Sequence, residues 1–176
     1  MALADGRKLG DRREAAETAA EEAGVSDETL FEIIELLFFA YRDFTSDPDE
    51  ILQAFGFGRA HHRVLHFVSR NPGIRVTELL EILKITKQSL ARVLRQLIEE
   101  GFVEQREGQE DRRRRLLHPT EKGAALAARL AAPQLHRIAS ALKRVGQDAQ
   151  APAREFLYSL INETERDAVR ALIAKP

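Results

Sequence analysis

Arginine is concentrated at one place in this chain, where Arg112, Arg113, Arg114 and Arg115 directly follow Asp111. Four like charges in a row repel one another unless an anion lies among them. The planar guanidinium also grips phosphate oxygens in pairs and enters narrow, electronegative grooves. Asp111 suits a structuring role, its carboxylate holding the turn by accepting backbone or arginine hydrogen bonds. A second polar set precedes it: Thr86, Lys87, Gln88, Ser89, Arg92 and Arg95. These share a stretch with Leu90, Val93, Leu94, Leu97 and Ile98, which recur at helical spacing and form the inward stripe. Short hydroxyl and amide groups at a helix start, then two arginines, suit an element whose first turns meet a polyanion. Glu99 and Glu100 come only at its far end.

Other chemistries lack their parts. The chain has no cysteine, which removes disulfides, thiolate catalysis and zinc-finger ligation together. It has no glycine-rich phosphate loop, nucleophile elbow or dense carboxylate cluster, so it is not read as an enzyme. His62 and His66 stand four apart on one helix, a spacing that can hold a metal from one face. With no third ligand placed beside them or His61, ordinary hydrogen bonding is the expectation, and no metal or other cofactor is assigned. His118 and His136 are read as structural.

The elements that position these residues follow from pattern and punctuation. Ser26-Asp27-Glu28 starts a helix whose span from Leu30 to Phe44 is apolar on most of its circumference. Such a helix needs cover on more than one side, and a second copy of the chain is the natural cover. Leu30, Ile34, Leu37, Phe38 and Tyr41 are its candidate dimerisation residues. Asp47-Pro48-Asp49 is expected to break this helix, leaving a short helical piece around Ile51 to Phe55. Further helices are expected over Arg59 to Ser69, stopped by Asn71-Pro72-Gly73, and over Glu78 to Leu83, capped by Thr77. Another runs from Thr86 to about Glu100, ended by Gly101. A hairpin follows, Phe102 to Arg106 returning as Arg114 to His118. Then comes a helix from Glu121 to about Val145, with a kink or break near Ala132 before Pro133. A last helix, Ala153 to Ile173, carries Phe156, Leu160, Val169 and Leu172 as further dimerisation candidates.

Net charge is −1, yet it is unevenly spread: −9 over residues 1–58, +5 over 59–123 and +3 over 124–176. A basic middle behind an acidic start suggests that the middle meets the polyanion. No apolar run approaches a membrane span and no signal-peptide core opens the chain, so a cytoplasmic protein without a membrane partner is expected.

Helix, short helix, tight turn, helix and hairpin in that order make a winged helix-turn-helix. From Gly56 to Gly123 the chain resembles the MarR family (multiple antibiotic resistance regulators). Asp111, Arg113 and then Pro119-Thr120-Glu121-Lys122-Gly123 match the family's wing pattern, with Pro119 where the family has leucine. Thr86, Ser89 and Arg92 match the start of its recognition helix, and Gly101-Phe102-Val103 its step into the wing. The resemblance implies a mainly α fold with a small β-hairpin wing (α+β), flanked by N- and C-terminal dimerisation helices. It divides the chain into a mobile N-terminal arm over residues 1–24, a dimerisation helix and connection over 25–55, a DNA-binding domain over 56–123 and dimerisation helices over 124–176. It also implies a homodimeric regulator, read as a repressor, on palindromic double-stranded DNA, with a small-molecule effector of unassigned identity. The alternative from another class is a winged-helix protein-interaction module that has lost DNA binding.

Overall fold

The computed structural model describes residues 23–108 and 115–174. Its helices are α1 (Asp27–Gln53), α2 (Arg59–Arg70), α3 (Val76–Leu83), α4 (Lys87–Glu99), α5 (Glu121–Val145), α6 (Gln150–Ser159) and α7 (Glu163–Ile173). The strands are β1 (Ile74–Arg75), β2 (Val103–Glu107) and β3 (Arg115–Pro119), and a 3-10 turn joins α5 to α6. The chain divides inside α1, between Thr45 and Ser46, into two compact units.

In the first unit α1 stays apolar and uncovered. Phe38 is 64% exposed and Ile34 61%, with Phe31, Leu37, Phe39 and Tyr41 also exposed and Leu30 half-buried. Phe38 and Phe39 meet edge to face at 5.6 Å.

In the second unit one core joins α2, α3, α4, the sheet and the start of α5. Val64, Leu65, Val68, Leu79, Leu90, Leu97, Phe102, Leu117 and Leu130 are fully buried in it. The expected helix break at Asp47-Pro48-Asp49 does not occur, since α1 runs on through Pro48 to Gln53. Proline removes one helical donor, but local propensity yields to packing here. Pro48 and Leu52 are buried, and Ile51 and Phe55 pack on the core. Flanking carboxylates are held as well: Arg137 grips Asp47 at 2.8 and 3.0 Å, and Arg59 donates to Asp49 at 2.8 Å.

Pro133 likewise fails to break α5, which is continuous from Glu121 to Val145. Leu126 and Leu130 anchor it before the proline, and the Arg137 pair with Asp47 holds it after. The single C-terminal helix expected over Ala153–Ile173 is instead two, α6 and α7, parted at Leu160–Asn162. Arg166 bends back to donate to the Ser159 carbonyl at 2.8 Å and the Ile161 carbonyl at 3.0 Å, satisfying acceptors that the end of α6 leaves open. Asn162 followed by Glu163 and Glu165 is the start signal that marks the break.

The wing also differs from a lone hairpin. Ile74 and Arg75 add a short strand, making a three-stranded antiparallel sheet in the order β1-β3-β2 among the described residues. β1 pairs Ile74 with Leu117, and β2 pairs Val103 with Pro119 through to Glu107 with Arg115. Pro119 closes the central strand at its last position, where a missing donor costs little. The next donor, Thr120 N–H, reaches the Phe102 carbonyl at 3.1 Å.

Candidate nucleic-acid interface

The helix-turn-helix is α3, a turn and α4. Its first helix starts two residues earlier than expected: Arg75, not Thr77, is the N-cap. The Glu78 carboxylate accepts from the Arg75 backbone N–H at 2.8 Å and from its Nε at 3.1 Å. Lys84 then ends α3 in the left-handed region, at φ 50°, with its N–H on the Leu80 carbonyl at 3.0 Å. This residue turns the chain towards α4.

Thr86 caps α4, its Oγ1 accepting from the Ser89 N–H at 3.1 Å and donating to the Ser89 hydroxyl at 2.9 Å. Two of the six polar candidates on this helix are therefore engaged with each other at its start, and Ser89 is half-buried. Leu90, Val93, Leu94 and Leu97 turn inward as expected. Lys87, Gln88, Arg92 and Arg95 lie exposed on the other side and make no hydrogen bond or ion pair among the described residues. Cations held on a rigid helix with no internal partner are available to phosphates or base edges.

The far end of α4 is fastened to the wing and to α5. Gly101 follows at φ 73°, and the Phe102 N–H bonds the Leu97 carbonyl at 2.8 Å. Lys122 donates to the Glu100 carbonyl at 2.8 Å and places its ammonium 4.0 Å from the centre of the Phe102 ring. A cation suits this negative helix end. The Thr120 hydroxyl donates to the Gly101 carbonyl at 2.7 Å and accepts from the Gly123 N–H at 3.0 Å. A Cβ on Gly123 would collide with the Phe102 carbonyl. Thr120 caps α5 as its type suggests, and Thr120, Lys122 and Gly123 of the wing motif thus each have a mechanical task.

Of the wing arginines, only Arg115 is among the described residues. It opens β3 on the exposed side, 3.6 Å from Glu107 of the opposite strand. Asp111, Arg112, Arg113 and Arg114 lie outside the described residues, as does the arm up to residue 22. On the hairpin's other strand Arg106 donates to Glu104 at 2.9 Å.

His61 makes the ordinary hydrogen bonds expected of it, and they join α2 to α4. Its Nδ1 accepts from the Gly58 N–H at 3.1 Å, and its Nε2 meets Gln96 Oε1 on α4 at 2.8 Å. His62 and His66 sit 6.4 Å apart, centre to centre, on α2. Burial pushes both imidazoles below the ordinary value, helped for His62 by His66 and for His66 by Arg70. Among the described residues no cluster of three or more His, Asp or Glu joins them as metal ligands.

A family model described as "MarR family" matches residues 55–114. The regulator PetP of Rhodobacter capsulatus, an HTH-type transcriptional regulator, is 49% identical over 81% of this chain and 86% of its own. The chain belongs to the MarR family. Solved MarR-family structures share the fold. A Listeria monocytogenes MarR-family regulator complexed with a 26mer DNA superimposes with a TM-score of 0.64 at 21% identity, covering 77% of this chain and 89% of that one. A Mycobacterium tuberculosis MarR-family protein in complex with salicylic acid does so with a TM-score of 0.52 at 25% identity, covering 72% and 93%. In this MarR-family chain α4 carries Lys87, Arg92 and Arg95 exposed on one side, and β3 opens on the exposed Arg115.

Proposed function

We propose that the chain is a transcriptional regulator that binds double-stranded DNA sequence-specifically, as a cytoplasmic homodimer, with α4 in the major groove and the wing beside it. The observation that carries this is the outer face of α4: Lys87, Gln88, Arg92 and Arg95 have no hydrogen bond or ion pair among the described residues, on a helix capped at its start and fastened at its end. Repression is the simplest sign, because a dimer seated on its operator excludes other proteins from the same DNA. An effector fits the same reading. A cleft of about 570 Å³ between α3 and α7 is of small-molecule size. The ion pair of Lys84 with Glu165, 2.9 Å, lies in its lining and ties the turn before α4 to α7.

Pull-down and sequencing of genomic fragments, followed by footprinting, tests the function. The expected footprint is an inverted repeat with half-sites about 10 bp apart, one helical turn. Arg92→Ala should lower affinity for that operator more than for random duplex, since a base-reading arginine discriminates by about 1–3 kcal/mol. Arg113→Ala, at the wing, should weaken both together and reduce the slope of log affinity against log salt by about one unit. Failure of the protein to bind a heparin column, or to shift any duplex in a gel, would return the chain to the protein-interaction alternative.

A further inference from the structure

The histidine near the start of α2 reaches a second helix. Its Nδ1 accepts from the Gly58 N–H, so the ring proton sits on Nε2 and is donated to Gln96 Oε1. Gln96 Nε2 in turn donates to Glu100 Oε1 at 2.9 Å. The result is a directed chain of hydrogen bonds from the α2 N-terminus through imidazole and amide to a carboxylate at the end of α4. The imidazole cannot swing freely, because it lies flat on Phe57, 4.7 Å away and 6° from parallel. Phe57 is itself buried edge-on against Phe102 at 5.1 Å.

Four residues along an α-helix amount to a rotation of about 40°, so Gln96 lies one turn below Arg92 at the border of the exposed face. The inward side of α4 is aliphatic, and leucine and valine contacts resist separation better than they resist small rotations about the helix axis. A hydrogen bond at the border of the face resists that rotation. A roll of about 10° would carry an arginine head by about 1.5 Å, enough to spoil a base-edge contact but not an electrostatic one.

We infer that His61 and Gln96 form a rotational clamp that sets which side chains of α4 face the DNA, making both positioning residues for sequence discrimination. The inference rests on α4 being the DNA-reading helix.

The test is a double-mutant cycle read in two binding assays, one on the footprinted operator and one on a random duplex of equal length and salt. His61→Gln keeps a side chain able to accept from the Gly58 N–H, as a capping box does, so α2 keeps its start while the bond to Gln96 is lost. Gln96→Ala removes the other end. Each single variant should lose about three- to tenfold in operator affinity, and the double variant should lose no more than the worse single. Random-duplex affinity and melting temperature should stay close to wild type. Additive losses, equal losses on both duplexes, or no loss on the operator would overturn the clamp. Arg92→Ala serves as the reference. If it lowers operator affinity while the clamp variants do not, the clamp alone is wrong. If it too has no effect, α4 does not read DNA and both conclusions fall.

Discussion

Gly123 has no room for a methyl group, because the Phe102 carbonyl occupies the place where a Cβ would go. Gly123→Ala must therefore push α5 away from the start of the wing. The expected cost is about 3 kcal/mol, visible as a lower urea midpoint, whereas Ala124→Gly on the exposed side should cost about 1 kcal/mol. The His62 and His66 pair makes a second prediction, about pH. Both imidazoles are held below 6.5 in the folded chain, chiefly by burial. The folded state therefore binds fewer protons than the unfolded one between the lowered values and 6.5, and stability rises with pH across that interval. Melting temperature should fall as pH drops from 7 towards 5, and His62→Gln with His66→Gln should flatten the curve. An unchanged curve in the double variant would place the sensitivity elsewhere. The exposed side of α4 that carries Arg92 and Arg95 was legible in the sequence, because the inward leucines and valines recur at helical spacing. The roles of His61 and Gln96 were not, because they depend on a contact between residues 35 apart that no local spacing encodes.

At the scale of elements, the punctuation that acts through the backbone was readable. Thr86 opens α4 and Gly101 closes it as their types suggest, and Gly73 follows α2 at φ 89°. Thr86→Ala should remove the side-chain acceptor for the Ser89 N–H and cost about 1 kcal/mol. Hydrogen exchange should show the loss concentrated in the first turn of α4, and uniform loosening of the whole core would contradict a cap. Proline was the misleading signal. At position 48 burial of the proline and Leu52, before position 133 burial of Leu126 and Leu130, and at both the shared pair Asp47–Arg137 outweigh the missing donor, so two expected breaks became continuous helices. The opposite error came at Leu160–Asn162, where apolar periodicity continues across a real break that is stabilised by Arg166 reaching backwards. β1, two residues long, is too short for any period to show.

At the scale of the molecule, the described residues include much exposed apolar surface. Phe31, Ile34 and Phe38 on α1 are each more than 60% exposed, and Phe156, Leu157 and Leu160 near the C-terminus are about half exposed. Isolated soluble domains seldom keep such faces open, and a second copy is the cover the family likeness favours. Light scattering at micromolar concentration should give a dimer, and Phe38→Asp should yield aggregate or unfolded chain; a well-behaved wild-type monomer would refute this. One further consequence comes from the fastening of α4 to the first turn of α5. Lys122 and Thr120 weld the two helices at their junction, and α5 then runs unbroken for 25 residues, about 37 Å. A long beam welded to a short one converts a small tilt into a large displacement. Swinging α5 by about 5° from its distant end shifts the welded end by about 3 Å, close to half the rise of one helical turn. Whatever grips the far end of α5 therefore holds the handle of the instrument, and needs no contact with DNA to move its tip.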